Sequence, residues 1–534
     1  MKVVFITGGV ISSLGKGLVA SSLGMLLESR GYSVNIVKID PYLQIDAGTM
    51  SPYEHGEVFV TDDGGETDLD VGNYERFLNK NLTKDNSITT GKIYYSVLTK
   101  ERVGYYLGKT VQVIPHITNE IKDNLKKLGE QYDILIVEIG GTVGDIESQP
   151  FLEAARQMKI DLGKENVSYI HVSLLPYLRT TQEVKTKPTQ HSVKELRSIG
   201  IQPDLLVVRS EVPIQRSIKE KLSLFTDVKV ENVLEAVDTD NIYKIPILLE
   251  SQEFSKRVLE VLGLQERKLN IDKYLDFLER MEHPKRTVRI GIIGKYVELK
   301  DAYKSLIEAL KHGATENRAK LEIIWINSET LENENYKNVL KEANVDGILV
   351  PGGFGIRGIE GMINAIHFAR VNKVPFLGIC LGMQLMTIEF ARNVCGLKKA
   401  NSTEFDPKTP YPVIDIMESQ KDIKALGGTM RLGAQKAILK EGSLAHKIYG
   451  ITEILERHRH RYEVNNEFLP ILTSHGFVVS GTSPNGKLVE FGEIIDHPFF
   501  IGTQAHPEFK SRPLNPHPLF VKFIEASITS HSTS

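Results

Sequence analysis

Two doubly wound parallel α/β domains are what this sequence predicts. Short β-branched runs recur along the chain, longer amphipathic stretches separate them, and glycine-rich turns stand where several runs end. Runs that are apolar throughout suit strands covered by helices on both faces. Sheets of this kind collect ligands at the carboxyl ends of their strands.

In the first half, strands are expected at residues 3–6, 33–39, 134–139, 167–174 and 205–208. The pattern resumes at 288–293, 347–350, 375–379 and 499–503. A chain of 534 residues is too long for one core. Residues 268–286 are charge-rich, and His283-Pro284-Lys285-Arg286 leads directly into a new strand. The expected division is therefore 1–266 and 287–534, joined by a linker at 267–286. Residues 527–534 are rich in Ser and Thr and are expected to fray.

With 41% hydrophobic and 25% charged residues and a formal net charge of -3, the composition gives no reason to expect nucleic acid or a membrane surface as partner. Two cysteines, Cys380 and Cys395, exclude a disulfide framework and suit a reducing compartment. Neither a secretory leader pattern nor an apolar run of about 20 residues is present, so the expected location is the cytoplasm.

Gly378-Ile379-Cys380-Leu381-Gly382 is G-x-C-x-G at a strand-to-helix turn, a thiol version of the nucleophile elbow. Its glycines allow the sharp turn, and the helix N-terminus favours a thiolate. The Leu381 N–H would face a developing oxyanion. A second donor is expected from Pro351-Gly352-Gly353-Phe354-Gly355, at Gly353. His506 in His506-Pro507-Glu508 would take the thiol proton, and Glu508 would orient its ring. A buried structural thiol is the bland alternative, and it leaves this set of motifs without a reason. Cys395 lacks such a setting and is read as ordinary packing. His458 and His460, two apart between arginines and without cysteines, make a poor metal pattern.

This set resembles the class I glutamine amidotransferases over the whole second domain. The resemblance implies a γ-glutamyl thioester on Cys380, release of ammonia, and glutamine held by Gly353, Leu381, Gly382, Met383, Gln384, Glu404 and Arg461.

In the first domain, Gly8-Gly9-Val10-Ile11-Ser12-Ser13-Leu14-Gly15-Lys16-Gly17 joins a strand to a helix, a P-loop-like anion site with Lys16 as a point charge. It departs from the usual phosphate loop: the glycine spacing is longer, and Gly17 replaces the hydroxyl that would hold magnesium. Carboxylates should carry more of the metal, with Asp70 and Glu138 as candidates. Lys38, at a strand end, and Lys185-Thr186-Lys187-Pro188-Thr189-Gln190 would suit phosphates or a base edge. Each acid alone could be a solvated loop residue, and the lysine run a solvated turn.

Together, Ser12-Ser13-Leu14-Gly15-Lys16-Gly17, residues 50–60 (MSPYEHGEVFV), the 185–190 run and residues 457–466 (RHRHRYEVNN) resemble the CTP synthase family over nearly the full chain. The resemblance implies an N-terminal synthase domain and a C-terminal class I glutamine amidotransferase domain. ATP at Ser13, Leu14, Gly15, Lys16, Gly17 and Leu18 would phosphorylate O4 of UTP, assisted by Lys38 and by Mg2+ on Asp70 and Glu138. Ammonia passing His55 and Val58 would then displace phosphate to give CTP. UTP would meet Ser12, Lys185, Thr186, Lys187, Pro188, Thr189, Gln190 and Lys221. CTP, as inhibitor, would also use Asp145, Ile146 and Glu147. GTP would act as activator, with Arg431 in Gly427-Gly428-Thr429-Met430-Arg431 as a contact, and the family implies a homotetramer. Two alternatives remain. Another glutamine-dependent ligase would leave the 185–190 run without a role. A regulatory P-loop switch would lack the nucleophile or its base.

Overall fold

The computed structural model describes residues 1–295, 299–416 and 430–531. Its contacts divide the chain into two units, Met1–Ala47 with Asp70–Lys273, and Gly48–Leu69 with Tyr274–Ser534.

In the first unit the apolar runs form one parallel sheet. Among the described residues its order is Val233–Val237, Leu205–Ser210, Val167–Leu174, Lys2–Gly8, Ile134–Ile139, Val34–Asp40, Ser87–Thr89. Val3, Phe5, Val37, Leu135 and Val137 bury one face against helices that include Gln149–Leu162. Lys2–Gly8 lies between Ile134–Ile139 and Val167–Leu174, so the loop after it opens between the carboxyl ends of both neighbours. The register pairs Lys38 with Glu138, which puts an ammonium beside a carboxylate at the sheet's end. Gly15, at φ 92, turns the chain into the helix Lys16–Ser29. Only glycine adopts that backbone without strain.

The second unit carries a mixed sheet. Ala319–Asn327, Arg286–Gly294, Gly347–Val350, Phe376–Ile379 and Phe500–Thr503 run parallel. Val489–Ile494, Phe477–Thr482, Arg431–Leu439 and Glu453–His460 continue it antiparallel. The inner parallel strands read as buried runs, whereas the edge strand Ala319–Asn327 is mostly half-buried and was not among the expected strands. At the antiparallel edge the first half of Glu453–His460 alternates exposure, so it carries no continuous apolar run.

Residues 48–69 pack with this unit although they stand far ahead of it in sequence. Their hairpin, Phe59–Val60 with Glu66–Thr67, is held by two arginines. Arg457 is fully buried and donates to Asp62 at 2.5 Å and to the Val60 carbonyl at 3.0 Å. Arg459 donates to Glu66 at 2.8 Å. Phe59 meets Phe509 edge-on at 5.2 Å.

Two other segments differ from expectation. Residues 267–286 contain a helix, Asp272–Glu282, whose Tyr274, Phe277 and Leu278 are buried. Of the serine- and threonine-rich end, the part up to His531 is helical, with Ser527 buried and donating to the Phe523 carbonyl, and residues 532–534 lie outside the described residues. Ser527 and Thr529 turn their hydroxyls onto carbonyls four residues back, which satisfies them within the helix.

Candidate functional site

In the second unit Phe376–Ile379 ends at Cys380, and the helix Leu381–Asn393 begins at once. The turn is held in a rare geometry, with Cys380 at φ 51 and ψ -100. Its amide donates to the Thr503 carbonyl at 2.7 Å, on the neighbouring strand. The glycines are steric requirements. A Cβ on Gly378 would lie 2.8 Å from the Gly382 backbone, and one on Gly382 would lie 2.2 Å from the Val350 carbonyl. Such strain persists only where the surroundings enforce it, as they do here.

His506 follows the strand Phe500–Thr503 and its Nδ1 pairs with Glu508 at 2.7 Å. Burial opposes charge on the ring, yet the Glu508 carboxylate and the nearby Cys380 sulfur raise its pKa to about 10. Cys380, His506 and Glu508 line one cavity with Pro351, Gly352 and Gly353. A Cβ on Gly352 would stand 2.6 Å from His506 Cε1, so the loop backbone touches the ring. A Cβ on Gly353 would meet Leu381 Cδ2 at 3.6 Å, an ordinary contact. Lys295 holds this loop through the Phe354 carbonyl at 3.1 Å and the Gly355 carbonyl, and the Gly355 amide donates to Glu404 at 3.0 Å.

Val58 lines the same cavity, while His55 is exposed on the short helix Pro52–His55. Leu381, Gly382 and Met383 are buried, so their backbone is what can meet a ligand. Arg461 lies near Glu404, whose carboxyl burial pushes up. Gln384 is buried and donates to the Tyr462 carbonyl at 3.0 Å. Arg431 donates to Glu463 at 3.3 Å and Glu490 at 2.6 Å, so its guanidinium is held by two buried carboxylates. Residues 427–429 lie outside the described residues. His458 and His460 contact each other at 3.0 Å, and burial keeps both rings neutral. Burial pushes the Cys395 thiol up to about 11.

In the first unit Lys38 Nζ lies 2.6 Å from Asp70, 3.1 Å from Glu138 and 3.7 Å from Asp40. Tyr74 donates to Glu138. Burial would raise the Asp70 carboxyl, but Lys38 and Asn73 bring it below its usual value. Burial raises Glu138 despite Lys38, and lowers Lys16 despite Glu138. Lys16 donates to the Gly141 carbonyl at 2.7 Å. A Cβ on Gly17 would lie 2.3 Å from Asp70 Oδ1. The Asp70 carboxylate therefore fills the place that a hydroxyl side chain would take.

Leu14, Gly15 and Leu18 line an adjoining pocket with Arg209, Asp238 and Ile242. Ser13, at φ 56, accepts from Arg209 at 2.9 Å. Gly9 packs on Ser192 of the helix Lys187–Ser198, which seats residues Lys187, Pro188, Thr189 and Gln190 beside the glycine loop. Thr189 bonds the Leu174 carbonyl, and Gln190 bonds Thr186. Lys185 pairs with Glu183. Ser12, Asp145, Ile146, Glu147, Lys187 and Lys221 are exposed.

Sequence reasoning missed Gln504, whose side chain reaches Cys380 Sγ at 3.6 Å, and Glu57, Tyr303 and Arg459 in the cavity wall. The Gln504 position two residues before His506 was the available signal.

A family model for the CTP synthase N-terminus matches residues 2–264, and one for class-I glutamine amidotransferase matches 298–526. The chain is 65% identical over 532 residues to a CTP synthase of Methanocaldococcus jannaschii, covering 99% of this chain and 98% of the other. It is 58% identical over 532 residues to one of Carboxydothermus hydrogenoformans, covering 99% of each. The solved glutaminase domain of the Trypanosoma brucei protein, with bound acivicin, is 38% identical, has a TM-score of 0.43, and covers 45% of this chain and 94% of that one.

Proposed function

We propose a division of labour for this chain, which belongs to the CTP synthase family and converts UTP to CTP with ATP and nitrogen from glutamine. The observation that carries it is the Cys380, His506 and Glu508 constellation in one chain with the lysine-carboxylate cluster after the glycine loop.

His506 takes the Cys380 proton, and sulfur attacks the side-chain amide carbon of glutamine. The Leu381 and Gly353 amides receive the oxyanion. His506 returns the proton to the leaving nitrogen, and ammonia departs. Water then hydrolyses the thioester to glutamate. The backbone of Leu381, Gly382 and Met383, with Glu404 and Arg461, holds glutamine. Gln384 adds its side-chain oxygen, its NH2 group being held by the Tyr462 carbonyl. Val58, in the cavity wall, and His55 mark where ammonia leaves.

At the other site Ser13 to Leu18 bind the ATP phosphates, and the pocket of Leu18, Arg209 and Ile242 takes its base. Ser12, the 185–190 run and Lys221 hold UTP. UTP O4 attacks the γ-phosphorus and ADP leaves, with Lys16 and Lys38 offsetting the charge that develops. Ammonia attacks C4, phosphate leaves, and loss of a proton gives CTP. Asp70 and Glu138 fit Mg2+, because both are oxygen donors that already hold positive charge at 2.6 and 3.1 Å. Mg2+ there would neutralise phosphate charge.

Regulation and assembly are expectations of the same reading. CTP, as inhibitor, shares the triphosphate contacts and adds Asp145, Ile146 and Glu147. GTP, as activator, meeting Arg431 would compete with Glu463 and Glu490 for its guanidinium. Tyr95, Leu98, Val103, Tyr105 and Leu107 are exposed apolar side chains and suit burial in a homotetramer. Among the described residues no helix is long and apolar enough to cross a membrane, which is compatible with a cytoplasmic location.

Incubation with UTP, ATP, Mg2+ and glutamine should change the base absorbance from that of UTP to that of CTP. Glutamine hydrolysis without that change would overturn the assignment of UTP.

A further inference from the structure

Cys380 sulfur has a neighbour that the triad does not use. Gln504 is fully buried, and its Nε2 lies 3.6 Å from Cys380 Sγ. An amide drawn the other way round would turn a carbonyl oxygen toward the sulfur, so its orientation decides its chemistry. Two contacts fix that orientation. The Tyr462 carbonyl can only accept, so Gln384 presents its NH2 group there, at 3.0 Å. The same Nε2 faces Gln504 Oε1 at 3.4 Å. Gln504 thus accepts on its oxygen and has its N–H left for the sulfur. Its backbone is equally fixed, with its amide donating to the Glu490 carbonyl at 2.9 Å.

We propose that Gln504 is a further catalytic residue of glutamine hydrolysis, its side-chain N–H donating to Cys380 Sγ, and that Gln384 is a positioning residue that aims it. The inference rests on Cys380 being the nucleophile. An N–H donor stabilises negative sulfur, and it also points the lone pairs into the cavity that holds His506. Two residues in one short segment then serve one atom: Gln504 as a fixed donor and His506 as the proton carrier. Gln384, also among the contacts for glutamine, supports the nucleophile's donor through its NH2 group.

The decisive comparison is between Gln504→Glu, Gln504→Met and the wild type. Glu keeps the shape but puts carboxylate oxygen against the sulfur, whereas Met keeps the bulk and removes polarity. Glutaminase kcat should fall about tenfold in Gln504→Met and about a hundredfold or more in Gln504→Glu, with KM for glutamine within about threefold. Iodoacetamide labelling of Cys380 at neutral pH should slow in the same order. A packing role predicts the reverse, with the isosteric Glu as mild as Met or milder, and that result would overturn the proposal. If Gln504→Glu does not fold, Gln384→Met decides: it leaves Gln504 present but unaimed, and unchanged kcat and labelling would overturn the proposal. Full glutaminase activity in Cys380→Ala would instead remove the nucleophile on which it rests.

Discussion

At Cys380 the local geometry is set by close packing of the backbone itself. The elbow is strained, the histidine is already paired with Glu508, and Gly352 packs against the ring. Around Lys38, by contrast, one ammonium stands among three carboxylates, Asp40, Asp70 and Glu138. That cluster is balanced by attraction between its own members, with Lys16 close enough to feel them. The first arrangement is defined by shape, the second by charge. A shape-defined site should fail when a small group is moved. A charge-defined site should fail when its balance is upset, and should respond to ions.

The largest test separates the two sites outright. Cys380→Ala should lower glutamine-dependent CTP formation by about a thousandfold or more while synthesis from added ammonia persists. Equal loss of both would end the distinction. Next is Lys38→Met, which leaves Asp70 and Glu138 facing one another without their cation. Removing one member of a buried ion pair typically costs about 3–5 kcal/mol, so the melting temperature should drop. Mg2+ should restore part of it, and indifference to Mg2+ would count against a metal at these carboxylates.

Glu508→Gln probes the histidine's charge. His506 has a folded-state pKa raised to about 10, against about 6.5 for an unfolded chain. The stability linked to that shift is fully present below about pH 6.5 and lost as pH rises toward about 10. Without the carboxylate the shift shrinks. The gap in melting temperature between wild type and Glu508→Gln should therefore be widest below about pH 6.5 and close by about pH 10. Glutaminase kcat should fall about a hundredfold. A gap constant with pH would mean that Glu508 acts through packing alone. The smallest effect is expected from Gly352→Ala, whose added methyl meets His506 Cε1 at 2.6 Å. A loss of about tenfold in kcat with little change in stability would show how closely the ring is placed.

The same contrast explains what could be read from the sequence. Cys380, His506, Lys16 and the buried parallel strands announce themselves because glycine turns and continuous apolar runs are local signals. Asp70 was legible through an absence, since Gly17 lacks a hydroxyl, and the carboxylate does stand in that space. Gln504 was not legible, because its meaning depends on Gln384 and Tyr462, far away in sequence. Arg431–Leu439 and Glu453–His460 were hidden by their mixed exposure, Val489–Ile494 by the buried Glu490 and Glu493 within it, and residues 48–69 by distance. Nothing local says that Asp62 belongs to Arg457.

That pairing has a consequence for how the molecule is made. Asp62 leaves the ribosome 395 residues before Arg457. At about 5–20 residues per second the wait is about 20–80 s. During it, the hairpin Phe59–Val60 with Glu66–Thr67 has none of its later partners Arg457, Arg459 and Phe509. The unit that holds Cys380 is thus begun early and completed last. A gene split at the boundary after Lys273 would deliver its larger piece without the strands that cover Arg457.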